Sequence, residues 1–163
     1  MIGNVNNLQG NQNIAIGDQN NIAGNKNTLL GSQNNLQGSD NFLKGSNNTM
    51  IGNQNNLTGN SNQVAGDQNN ILKDNNKVTG NQNNLNGNDN VMIGSNNNLQ
   101  GDSNQMKGNQ NNITGNNNLL AGDLNNVEGS SNAVGGNQNN VGGSENTVLG
   151  DQNNIKNGSA NQV

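Results

Sequence analysis

The chain has 163 residues, a formal net charge of −4, 26% hydrophobic residues and a single aromatic, Phe42. It contains no His, Cys, Pro, Trp or Tyr, which removes imidazole and thiolate catalysis, disulfides and metal sites built on His or Cys. Six basic residues, all Lys, with no aromatic platform exclude a nucleic-acid footprint, and no apolar run approaches the roughly 18 residues of a membrane-spanning helix.

By composition alone, a chain about one-third Asn reads as a disordered polar tract. Periodicity overturns that reading. A seven-residue unit, plainest in Gly52-Asn53-Gln54-Asn55-Asn56-Leu57-Thr58, can be laid down 23 times from Gly3 to Val163. Position one is Gly in 22 copies, Lys73 being the exception; position four is Asn in all 23. Position six is Leu, Ile, Val or Met in 22, with Ala15 the exception. Scattered Asn would fill position four this way with odds on the order of 10⁻¹¹, so the repeat specifies structure.

Taken from the start, Met1-Ile2-Gly3 carries no basic-then-apolar signal segment and fits positions six, seven and one. Each heptad then alternates polar, Asn, variable, aliphatic, variable over positions three to seven. That predicts a short strand with positions four and six on one face. A coiled coil is excluded, because only one position in seven is reliably apolar and each recurring Gly costs a helix about 1 kcal/mol. Gly and its polar neighbour form a corner, where a left-handed backbone is easiest. One strand and one corner cannot close a loop, but two can. The expected fold is all-β, a flattened two-faced β-solenoid (β-roll) of about 14 residues per coil. It forms a single repeat domain over 1–163, with no linker.

A 14-residue period is written in position five. Asn56, Asn70, Asn84, Asn98, Asn112, Asn126, Asn140 and Asn154 alternate with non-Asn residues. In the first third the phase is reversed, with Asn7, Asn21 and Asn35 opposed by Ile14, Thr28 and Phe42. The switch falls between Phe42 and Thr49, so the Asn column should change faces there. One extra residue, Asn157, precedes the last copy.

One aliphatic per heptad is too little apolar burial to order the chain. Hydrogen bonds must supply the rest. We expect the position-four residues, among them Asn55, Asn69, Asn83, Asn97, Asn111, Asn125, Asn139 and Asn153, to form a structural amide ladder inside the coil. On the face carrying the longer Asn column, positions three and five should both point outward. The candidate surface-binding residues are therefore the eight Asn from Asn56 to Asn154 beside Gln54, Gln68, Gln82, Gln110, Gln138 and Gln152. The array should be flat, regular and almost uncharged. The opposite face is mixed, and Ile51, Val91, Ile93, Leu119 and Leu149 make a partly apolar strip that could pair two copies.

Nothing in the pattern supports catalysis, a metal or a cofactor. Corner serines such as Ser61 and Ser130 lack a base, and no Gly-Lys-Ser/Thr follows the glycines. The acidic residues form neither an EF-hand loop nor a calcium nonapeptide.

Written from position two, the unit is x-x-Asn-x-aliphatic-x-Gly. It resembles the heptad of ryegrass-type grass antifreeze, or ice recrystallisation inhibition, proteins. Gly45-Ser46-Asn47-Asn48-Thr49-Met50 and Gly143-Ser144-Glu145-Asn146-Thr147-Val148 carry the resemblance best. It implies a left-handed β-roll, inward aliphatic and Asn rows, one flat ice-binding face and an extracellular protein. In that family the outward position before the aliphatic is often Thr; here it is Thr at Thr28, Thr49 and Thr147, and Asn most often. A second resemblance, through Asn13-Ile14-Ala15-Ile16-Gly17 and Asn90-Val91-Met92-Ile93-Gly94, is to the head repeats of trimeric autotransporter adhesins. The expected function is ice binding, with ice or ordered water as the partner on one face. The alternatives are a structural filament stacked end to end and a surface adhesin fragment. Nucleic-acid binding and membrane insertion are not expected.

Overall fold

Each heptad makes one strand and one corner, and two heptads complete a coil. The computed structural model describes residues 1–163 as two units, Met1–Gln82 and Asn83–Val163. Both are built only of short parallel strands.

In the first unit an odd sheet pairs β1 (Asn7–Gln9), β3 (Asn21–Ala23), β5 (Asn35–Gln37), β7 (Thr49–Ile51), β9 (Gln63–Ala65) and β11 (Lys77–Thr79) in that order. An even sheet pairs β2 (Ile14–Ile16), β4 (Thr28–Leu30), β6 (Phe42–Lys44), β8 (Asn56–Thr58) and β10 (Asn70–Leu72). The second unit repeats the plan. Its even sheet holds β12 (Asn84–Asn86), β14 (Asn98–Gln100), β16 (Asn112–Thr114), β18 (Asn126–Glu128), β20 (Asn140–Ser144) and β22 (Asn154–Ser159). Its odd sheet holds β13 (Val91–Ile93), β15 (Gln105–Lys107), β17 (Leu119–Ala121), β19 (Ala133–Gly135) and β21 (Thr147–Leu149). Regular partners lie 14 residues apart, as in Asn98↔Asn112.

The inward rows are those the alternation predicts. Position-six side chains from Ala15 to Val148 are at most 3% exposed, and position-four Asn side chains from Asn20 to Asn146 at most 2%. The register also bears out the change of face. Asn35 pairs with Thr49 on the odd sheet, and Phe42 with Asn56 on the even sheet.

The corners depart from the expected geometry. Outside β20 and β22, which run on into the next corner, the strand covers positions five to seven only. Position three is left-handed in every regular heptad, with φ between 57° and 61° in Gln12, Gln33, Gln54, Asn96 and Leu124. A left-handed residue ends an extended segment, so the strand cannot begin at position three. Val5 is the one β-branched residue at that position, as the steric cost of this region for branched side chains requires. Gln54, Gln68, Gln82, Gln110, Gln138 and Gln152 are therefore corner residues, not members of the flat strand face. The outward companion of position five on the strand is position seven.

Position one is Gly because the coils touch there. A Cβ on Gly45, where φ is +136°, would overlap the carbonyl oxygen of Gly59. Lys73, in the same position, sits at φ 79°. The extra residue Asn157 is absorbed by a register shift between Val141 and Gly143. The inward ladder then resumes, with Asn161 Nδ2 donating to Asn146 Oδ1 at 2.9 Å.

Candidate functional site

The interior amides define what the surface can do, because they hold the coils at a fixed spacing. Asn97 is typical. Its Nδ2 donates to Asn83 Oδ1 at 3.2 Å and to the Gly108 carbonyl at 2.8 Å. Its Oδ1 accepts the Asn111 backbone N–H at 2.9 Å and Asn111 Nδ2 at 3.2 Å. An Asn amide has two donors and two acceptor sites, and all four are used. No buried side-chain polar atom is left without a partner. In the second unit Asn83, Asn111, Asn125 and Asn139 are likewise buried and Asn153 is half-buried; in the first, Asn55 and Asn69 are buried.

A second set of side-chain bonds ties the corners, and sequence reasoning missed it. Position-two side chains accept the backbone N–H of the residue 14 positions earlier. Asp123 Oδ1 accepts Asn109 N–H at 2.6 Å, Asn109 Oδ1 accepts Ser95 N–H at 2.9 Å, and Ser46 Oγ accepts Ser32 N–H at 3.1 Å. The signal was present: position two is Asn, Asp or Ser in all 23 copies. Those are the short side chains whose oxygen reaches a nearby backbone N–H.

The outward Asn column of the second unit is itself a ladder. Asn84, Asn98, Asn112 and Asn126 each donate Nδ2 to the Oδ1 of the next, at 2.9, 2.8, 2.8 and 2.9 Å, and Asn140 donates to Asn154 at 3.2 Å. Asn112 is half-buried and the other five are exposed. In the first unit Asn56 donates to Asn70 at 3.0 Å. Each internal amide spends one N–H and one lone pair on its neighbours and keeps one of each for solvent. The bonds also fix the side-chain orientation, so the free groups recur at the coil spacing of about 4.8 Å.

Beside this column, position seven carries Asn86, Gln100, Thr114, Glu128, Gly142 and Lys156 in the second unit, and Thr58 and Leu72 beside Asn56 and Asn70. Only Glu128 and Lys156 are charged. The corner Gln residues form shorter ladders of their own. Gln82 Nε2 donates to Gln68 Oε1 at 2.9 Å, Gln68 to Gln54 at 2.9 Å, and Gln152 to Gln138 at 3.0 Å. Their donors point to the earlier coil, whereas those of the Asn column point to the later one. The two head-to-tail rows of amide dipoles thus run in opposite senses and offset each other. No group of three or more acidic side chains is placed to hold a metal ion.

Fourteen-residue coils, buried amide rows and a low-charge outer amide ladder together define a β-roll, a solenoid whose interior is fixed by hydrogen bonds as much as by apolar packing. The family model described as grass antifreeze beta roll matches residues 1–87 and 71–163, and the chain belongs to that family. Antifreeze function through ice binding comes with that membership, and the family is not one of enzymes. No curated protein matches the chain.

Proposed function

We propose that the outward Asn ladders are the surface through which this antifreeze-type protein binds ice. The contact residues are Asn56 and Asn70 in the first unit, and Asn84, Asn98, Asn112, Asn126, Asn140 and Asn154 in the second. Gln54, Gln68, Gln82, Gln110, Gln138 and Gln152 flank them from the corners. The observation that carries the reading is the bonding between exposed amides at 2.8–3.2 Å. Isolated surface Asn side chains rotate freely and offer water no fixed pattern. Amides tied to one another present one donor and one acceptor per coil in fixed directions. Water held by such a row is ordered before ice arrives, and charge beside it is confined to Glu128 and Lys156.

The test uses grain growth in a frozen sucrose film held just below its melting point. The wild-type protein keeps the mean crystal size near its starting value. Asn98→Lys with Asn112→Lys puts two hydrated cations into the middle of the second unit's ladder and lets crystals grow markedly faster than with the wild type. Growth at the protein-free rate in the presence of the wild type removes the reading.

A second reading, self-association through the odd sheets, is favoured by exposed aliphatic side chains. Ile93, Leu119 and Leu149 in the second unit are 44%, 54% and 72% exposed, with Val91 beside them, and Ile51 in the first unit is 48% exposed. Apolar groups gathered on one face suit a second copy of the same face. A concentration-dependent dimer in light scattering, dispersed by Leu119→Asn with Leu149→Asn, supports it; a monomer at every concentration removes it.

A further inference from the structure

Within residues 1–82 the amide column changes sheets. On the odd sheet, position five runs Asn7, Asn21, Asn35, with Nδ2 of each donating to Oδ1 of the next at 3.2 and 3.1 Å. The next residue in that column is Thr49. On the even sheet the column starts with Ile14, Thr28 and Phe42, then turns to Asn56 and Asn70. Position seven follows suit. Gln9, Ala23 and Gln37 accompany the three early Asn, while Ile16, Leu30 and Lys44 accompany the early even strands. Both sheets send their position-six side chains into one core, so their outer faces look in opposite directions.

The fold does not demand this exchange. Asn34, Asn41, Asn48 and Asn55 stay buried straight through it, as do Leu36, Leu43, Met50 and Leu57. A purely structural outer ladder would work equally well on either side. What the exchange does is create a second uncharged amide array, contiguous and mutually bonded, that cannot meet the same flat surface as Asn56 and Asn70.

We propose that Asn7, Asn21 and Asn35 form a second ice-contact patch facing away from the first, so that one molecule can touch two crystals. The proposal rests on ice binding by outward Asn ladders as argued above. A first unit seated on one crystal through Asn56 and Asn70 would present the early patch to the liquid vein between grains. There the second contact is made at the high effective concentration of a tethered group.

The experiment displays many copies of the full chain on streptavidin beads through a biotin placed after Val163, which lets a small patch register by multivalency. Beads are flowed over ice and the adhering fraction is counted. One variant carries Asn56→Lys, Asn70→Lys, Asn98→Lys and Asn112→Lys; another adds Asn21→Lys and Asn35→Lys. Unchanged thermal melts show that both fold. The first variant should still adhere, and the second should fall at least about tenfold further, to the level of bare beads. If wild-type beads adhere and the four-lysine variant does not, the early patch is inactive and the proposal fails while ice binding stands. Persistent adhesion by the six-lysine variant assigns binding to some other surface and also overturns it. If wild-type beads do not adhere, ice binding itself fails and takes the second patch with it.

Discussion

Replacing Asn97 by Ala removes four side-chain hydrogen bonds from the interior of the second unit. Two of the groups left behind, the backbone N–H and one Nδ2 proton of Asn111, belong to a residue only 2% exposed. The Gly108 carbonyl loses its bond from Asn97 as well. Unsatisfied buried polar groups cost about 1–3 kcal/mol each, so the substitution should destabilise by about 3–6 kcal/mol. At this chain length that corresponds to a fall of about 6–24 °C in Tm. Asn98→Ala, one residue along, also removes two ladder bonds, at 2.8 and 2.9 Å. Its partners Asn84 and Asn112 are at least partly open to water, which replaces what is lost, and the cost should stay within about 0.5–1 kcal/mol. Thermal unfolding followed by far-ultraviolet circular dichroism separates the two. Equal falls in Tm would refute the reasoning, because the two amides differ in burial and not in chemistry.

Other substitutions probe the corners. Lys73→Gly should raise stability by about 0.5–2 kcal/mol, since φ 79° is unfavourable for a side-chain-bearing residue and open to Gly; an unchanged or lower Tm would contradict it. Gly45→Ala drives a Cβ into the Gly59 carbonyl and should cost more than about 4 kcal/mol. Gly135→Ala, whose Cβ would meet the flexible Leu149 Cδ2 at 3.2 Å and the Val148 carbonyl oxygen at an ordinary 4.0 Å, should be near neutral in the same melt. Asp123→Ala should cost about 1 kcal/mol by leaving the Asn109 N–H without its side-chain acceptor. Asp123→Ser, which keeps an oxygen in place as Ser46 does, should recover most of that loss in urea titration.

The inward half of the molecule was legible in the sequence because it is repetitive and buried. Position four admits only Asn, since another side chain would leave four bonds unmade. Position six admits only an aliphatic. The side exchange at 42–49 could be followed on paper, because a 14-residue coil fixes which heptads share a sheet. The corner was harder. Alternation through positions three to seven looks continuous in one dimension, and Gln is not a residue that announces a left-handed backbone, so Gln54 and its counterparts were expected on the strand. Their true place depends on coil-to-coil bonds such as Gln33 N–H to the Asp18 carbonyl at 2.9 Å, which hold position three in a region it would not choose alone. The second corner ladder was visible in the restriction of position two to Asn, Asp and Ser, but it was obscured because those residues are also common in any turn. The outer companion column, position seven, escaped because it mixes Asn86, Thr114, Glu128 and Lys156 and shows no single residue type.

The most direct measurement is the distribution of dye-labelled protein between a slowly advancing ice front and the liquid ahead of it. Ordered amide rows should draw the wild-type chain into the solid, while Asn98→Lys with Asn112→Lys, equally folded by its melt, should enter it markedly less. Exclusion of the wild type to the same degree as an inert protein of its size would contradict the account.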